Sequence, residues 1–282
     1  MKARVALAVF LAAQALAGAA FADTLGRIKS GGAINIAYSP DSIPFSFTDR
    51  AGPAGYTIEI CKRVVAQIGR AVGKPGLKVN WIAAQTPERL KLVASGKADL
   101  ECGNTTQTLA RMANVDFSAL TFLEMGGMLS RAGTKLDNVG DLGGRKIVVL
   151  KGTTTEAALR EALQKKLVNA EIVTVSDATE GITMLQAGGA DAYAGDRIKL
   201  LGLVSQAKDP TQFAFVAGDL SYEPYALALP RNDSAFRLEV NRALSQIYRS
   251  GEIVEIYAQW LGALGRPPEL VTAMYILSAI PE

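Results

Sequence analysis

The chain has 282 residues, 49% hydrophobic and 20% charged, with 30 Lys and Arg against 27 Asp and Glu. That is the composition of a globular protein of one large or two medium domains, and a net charge of +3 is too small to mark a nucleic-acid binder. Histidine is absent, which excludes Ser-His-Asp and Cys-His nucleophiles and histidine metal sites; the two cysteines are too few for a four-cysteine zinc site or a disulfide-dense mini-fold.

Residues 1–22 read as an export signal: Lys2 and Arg4 precede an apolar run that ends in the cleavage pattern Ala20-Phe21-Ala22. A membrane anchor is the alternative, and the shortness of the run argues against it. Asp23 stands where a lipid-bearing cysteine would be, and no later segment is apolar enough to span a membrane. The mature chain is therefore expected to be soluble and exported, where cysteines meet oxidising conditions.

Strands and helices then alternate. Ala33–Tyr38 reads as a buried strand, Tyr56–Val72 as a helix with Ile58, Val64, Val65 and Ile68 toward one side, and Val79–Ala83 as a strand. Pro87–Ser95 is a short helix closed by Gly96, and Leu100–Gly103 a strand ending in a polar corner. Lys146–Leu150, Glu171–Val175 and Ala190–Ala194 are further strands; Ala157–Lys166, Glu180–Gln186, Ala235–Ser250 and Glu252–Leu261 are helices. The alternation implies α/β layers around largely parallel sheets, and the tail from Pro267-Pro268 reads as a surface strap.

Three strand ends gather polar groups. At Asn104-Thr105-Thr106, followed by Arg111, a guanidinium and hydroxyls suit a carboxylate; an N-capped helix with an exposed arginine is the competing reading. At Gly152-Thr153-Thr154-Thr155 a strand enters a helix N-terminus, which favours an anion or is an ordinary cap. At Asp191–Asp196 a carboxylate stands at the carboxyl end of a strand, where α/β sheets bind ligands; a surface turn is the alternative. Together they form a trap for a zwitterion, with Asp196 for its ammonium group.

In this order these residues resemble the periplasmic solute-binding proteins of polar amino acid ABC transporters (family 3 type), nearest the glutamate/aspartate-binding subgroup. The likeness extends through Ser42–Phe47, Gly55-Tyr56, Arg89, Gly96–Gly103, Asp116-Phe117-Ser118, Lys151–Glu156 and Trp260 with the double proline. It implies a type II clamshell: lobe 1 from residues 23–122 plus 228–282, lobe 2 from 127–219, and two hinge strands at 123–126 and 220–227. Asn104 (through its backbone), Thr106 and Arg111 would hold an α-carboxylate, Thr153, Thr154 and Thr155 would add donors, and Asp196 would take the α-ammonium. Cys61 and Cys102 would form a disulfide, with two buried free thiols as the alternative.

Departures from the subgroup bear on specificity. Ser39 occupies the position that reads side-chain charge and is neutral; Ala178 stands near an expected histidine; Ser42 and Thr86 stand where basic-ligand relatives carry an aromatic pair. Arg89 matches the arginine of acidic-ligand relatives and is the candidate for a ligand side-chain carboxylate, or else a structural arginine. Phe45 and Phe47 either floor the cleft or form one strand's core face. The resemblance thus points to the binding component of an ABC importer for a polar, acidic amino acid, with a membrane permease as partner, no cofactor and a monomeric state. A cyclohexadienyl-dehydratase-like enzyme on the same fold, with Glu124 as its acid, and a sensory solute receptor are the alternatives.

Overall fold

The structure, a computed structural model, describes residues 23–282. The export segment, residues 1–22, lies outside the described residues. After a short helix α1 (Thr24–Gly31), the chain forms β1 (Ala33–Tyr38) and a small antiparallel sheet of β2 (Asp41–Ser42), β3 (Ser46–Asp49) and β4 (Gly52–Ala54). Helix α2 (Tyr56–Ala71) starts at Gly55, whose φ of 123° and approach to the Phe45 carbonyl leave no room for a Cβ. Then follow β5 (Lys78–Ala83), α3 (Thr86–Ala94), β6 (Leu100–Cys102) and the single-turn α4 (Leu109–Met112).

A 16-residue strand, β7 (Asp116–Arg131), carries the chain out of this first lobe. The second lobe is built from β8 (Lys146–Leu150), α5 (Thr154–Lys165), β9 (Glu171–Val175), α6 (Ala178–Gln186), β10 (Ala192–Asp196), α7 (Arg197–Ser205) and β11 (Phe213–Phe215). The chain returns through β12 (Ser221–Leu229) and finishes with α8 (Ser234–Ser250), α9 (Glu252–Leu261) and α10 (Glu269–Ser278).

One path of hydrogen-bonded strands runs through both lobes, in the order β5-β1-β6-β12-β7-β10-β8-β9, with β11 beside β7. The outer strands pair in parallel, β1 with β5 and β6, and β8 with β9 and β10. The central pair β7–β12 is antiparallel because the chain crosses once in each direction, and it holds Glu124 opposite Glu223. The resulting α/β architecture is a two-lobed clamshell joined by two strands.

Each lobe has apolar clusters on both faces of its sheet. In lobe 1, α2, α8, α9 and α10 bury Ile58, Val64, Phe122, Leu244 and Tyr257 on one face, and Val93, Val115 and Phe117 pack on the other. In lobe 2, Val148, Ile182, Tyr193 and Leu203 form one cluster, and Ile147, Val149, Leu159 and Ala194 the other. The tail corrects the strap expectation. It is helix α10, whose Val271, Met274 and Tyr275 are buried in the lobe 1 core, with the Tyr275 hydroxyl 2.7 Å from that of Tyr56. A disulfide joins Cys61 of α2 to Cys102 at the end of β6. It staples a core helix to the strand that leads into the first polar corner; a crosslink over such a loop contributes about 2–4 kcal/mol.

Candidate functional site

The three polar corners meet. A small cavity of about 30 Å³ lies between the lobes. Its walls include Thr86, Asn104, Thr106 and Arg111 from lobe 1 and Thr153, Thr154, Thr155 and Asp196 from lobe 2. Leu150, Tyr193, Ala194, Gly195, Lys199 and Leu200 complete the lining.

Each polar group is held by its local fold. Thr108 caps α4 by accepting from the Arg111 N–H at 3.1 Å, and Arg111 Nη1 donates to the Thr106 carbonyl at 2.8 Å. The guanidinium is thereby turned back toward the corner. Burial pulls its pKa down, against the opposing fields of Glu101, Glu223 and Asp196. Thr153 is the N-cap of α5: its hydroxyl accepts from the Glu156 N–H at 3.2 Å and donates to the Leu150 carbonyl at 2.8 Å. Its hydroxyl is spent on the backbone, so the donors left at this corner are the first-turn N–H groups of α5.

Asp196, at the end of β10, is the most heavily bonded of these groups. It accepts from Tyr225 OH at 2.5 Å, Thr155 Oγ1 at 3.1 Å and Asn104 Nδ2 at 3.2 Å. Turning its amide nitrogen to Asp196 leaves Asn104 Oδ1 buried and without a partner. An ammonium group placed beside Asp196 would satisfy that oxygen as well.

The structure leaves Arg89, Ser39 and Phe45 out of the cavity lining. Arg89 is fully buried, its Nε 2.5 Å from Glu101 Oε1, and its remaining donors go to the Ala84 carbonyl, Thr86 Oγ1 and Thr105 Oγ1. Ser39 is buried among Ser42, Ser46 and Asp41. Phe45 sits in an aromatic cluster, 5.0 Å from Phe122, 5.3 Å from Tyr225 and 6.1 Å from Tyr56, ring centre to ring centre.

Two hinge glutamates escaped the reading of the three corners. Glu223 of β12 is buried and accepts from the hydroxyls of Thr106 and Thr154, the latter at 2.6 Å, and of Ser221. Burial and the charge of Asp196 raise its pKa. A carboxylate inside the apolar strand Ser221–Leu229 was the available signal. Glu124 of β7, the acid of the dehydratase alternative, is buried, 4% exposed. It accepts from the N–H groups of Met125 and Ile198, and burial raises its pKa to about 8. A carboxyl raised in this way favours folding fully below its unfolded value of about 4.5, and the advantage is lost as pH rises toward 8. Stability relative to Glu124→Gln is thus expected to fall by on the order of 4 kcal/mol between pH 4.5 and 8.5. Urea unfolding at several pH values tests this; parallel curves for the two proteins would refute it.

The lobes touch around the cavity. Thr106 and Thr154 hydroxyls are 3.3 Å apart, and Asp41 of β2 accepts from the Ala178 N–H, 3.0 Å away at the start of α6. Burial opposes the charge on Asp41, but Lys199, this N–H, Gln85 and Ser39 hold its pKa below the usual value. Gly202 of α7 lies so close to lobe 1 that an added Cβ would stand 2.5 Å from the Ile43 carbonyl oxygen. Among the described residues, no group of three or more Asp, Glu or Cys is placed to hold a metal ion.

Comparison with known proteins gives a consistent picture. Residues 34–263 match the bacterial extracellular solute-binding proteins, family 3. The L-glutamate/L-aspartate-binding protein of Pseudomonas aeruginosa is 33% identical over 239 residues, 84% of this chain and 79% of that protein. The glutamate/aspartate import solute-binding protein of Escherichia coli is 28% identical over 256 residues, 90% and 85%. Among solved structures, the ancestral amino acid-binding protein AncCDT-1, a precursor of cyclohexadienyl dehydratase, superposes with a TM-score of 0.72 at 26% identity, covering 84% of this chain and 99% of that one.

Proposed function

The chain belongs to the bacterial extracellular solute-binding proteins of family 3, and on that premise we propose that it is the periplasmic receptor of an ABC importer for a polar, acidic amino acid. The observation that carries this reading is the two-sided cavity. Arg111 and the first-turn N–H groups of α5 suit the α-carboxylate, while Asp196 and the orphan Asn104 Oδ1 suit the α-ammonium. Lobe 1 supplies Arg111 and Asn104, and lobe 2 supplies Asp196 and α5, so a bound zwitterion favours the closed state over the open one. In this reading the lobes comprise 23–122 with 228–282 and 127–219, hinged at 123–126 and 220–227. The acidic preference draws on the names of the two glutamate/aspartate-binding relatives. Export through residues 1–22, a monomeric state and a permease partner belong to the same proposal; among the described residues no helix is long and apolar enough to cross a membrane.

The protein is read as non-catalytic. A dehydratase on this fold needs a general acid over the ligand. Glu124 has the raised pKa of such an acid, but both of its oxygens accept backbone N–H groups and it does not line the cavity.

A thermal-shift screen of ligand-stripped protein against the standard amino acids, small dicarboxylates and prephenate tests the proposal. A ligand at 100 times its dissociation constant adds about 2.7 kcal/mol to folding stability. Glutamate or aspartate is expected to raise the midpoint. A shift by prephenate with release of an aromatic product, and none by any amino acid, would sink the receptor reading.

A further inference from the structure

Lys199 stands in the first turn of α7, on the wall of the cavity, and is 7% exposed. Its surroundings make it an expensive residue. It lies between Ile198 and Leu200, and a cation in the first turn faces the positive end of the helix dipole. Among the described residues, its ammonium has no hydrogen-bond or ion-pair partner; the charges acting on it are Asp41 and Asp196, with Arg89 opposing. Both carboxylates are bonded elsewhere, Asp196 to Tyr225, Thr155 and Asn104, and Asp41 to Ser39, Gln85 and the Ala178 N–H. Burial accordingly lowers the pKa of Lys199. The other buried cation at this end, Arg89, is consumed by Glu101.

We propose that Lys199 is the specificity-determining residue of the cavity, receiving the distal anionic group of the bound amino acid. The proposal rests on the receptor reading and deepens it. With Arg111 and Asp196 assigned to the two α-groups, the lining left for a side chain includes Thr86, Leu150, Tyr193, Leu200 and Lys199, and Lys199 is its one cation. A carboxylate there supplies the counter-charge that the fold withholds. An amide of the same shape leaves the ammonium desolvated and unpaired, so discrimination comes from a cost the protein has already incurred.

Titration calorimetry of the purified protein and its Lys199→Met and Lys199→Arg variants with glutamate, aspartate, glutamine and asparagine tests the proposal. The unaltered protein is expected to prefer each acid over its amide by about 100-fold. In Lys199→Met the ratio should fall to within about threefold through loss of affinity for the acids. Lys199→Arg should keep a clear preference for the acids. Replacing an unpaired buried charge by an apolar chain of similar length relieves desolvation, so the unfolding midpoint of Lys199→Met should match or exceed that of the parent. An unchanged acid-to-amide ratio in Lys199→Met overturns the proposal. Equal affinity for acids and amides in the parent overturns it too but leaves the amino acid receptor standing. Failure of the parent to bind any amino acid removes both.

Discussion

Arg111→Ala is expected to raise the dissociation constant for the amino acid by at least about 100-fold, with little change in the unfolding midpoint. The guanidinium sits at the cavity wall with one of its donors on the Thr106 carbonyl. Its lowered pKa records that the protein already holds this cation out of water. A carboxylate arriving there meets a desolvated, oriented fork, whereas alanine leaves the bound carboxylate buried with only the α5 N–H groups. Arg111→Lys keeps the charge and loses the fork, so it should fall between the two. The stability effect is small because α4 is a single half-exposed turn with no buried residue. Calorimetry decides it: a change of less than about threefold in Arg111→Ala would remove the α-carboxylate from this corner.

Gly202→Ala is expected to weaken binding by at least about tenfold and to keep the lobes apart. The new methyl would stand 2.5 Å from the Ile43 oxygen and 3.0 Å from its carbonyl carbon, both backbone atoms of the facing lobe. Lobe 2 itself gains, because alanine in a helix interior is favoured over glycine by about 1 kcal/mol. The strain therefore falls on closure and not on folding, and any ligand that needs both lobes must work against it. Gly31→Ala at the end of α1, where an added Cβ meets nothing within 4 Å, is the control. X-ray scattering with saturating ligand should give a larger radius of gyration for Gly202→Ala than for the parent. Equal radii and equal affinities would show that the loop at Ile43 yields instead.

Much of the fold was legible because local pattern and tertiary role agree. Ala33–Tyr38, Lys146–Leu150, Glu171–Val175 and Glu252–Leu261 have the bounds that the sequence suggests: apolar runs bounded by turn residues report strands, and helical spacing after Gly251 reports the helix. The long strands β7 and β12 were harder to see: Gly126-Gly127 and Pro224 interrupt them, and they are held by pairing with each other. Helix α10 was hidden behind the double proline, which here precedes a helix. The cavity's polar corners follow from strand ends entering helix starts, a local signal. The destinations of Arg89 and Lys199 do not, because they depend on whether a carboxylate lies within reach. Glu101, twelve residues from Arg89, takes the arginine, and nothing comparable takes the lysine.

The contact between Asp41 and the start of α6 has a consequence for resting behaviour. Asp41 belongs to one lobe and the N–H it accepts belongs to the other, so a helix end is completed only when the two meet. An interaction of this kind contributes about 1 kcal/mol, which shifts an equilibrium roughly fivefold. It raises the fraction of empty molecules that are already shut, and apparent affinity scales with the competent fraction. The same carboxylate that spares the ligand part of this conformational tax also narrows the difference between empty and loaded molecules, on which any partner that recognises shape must depend.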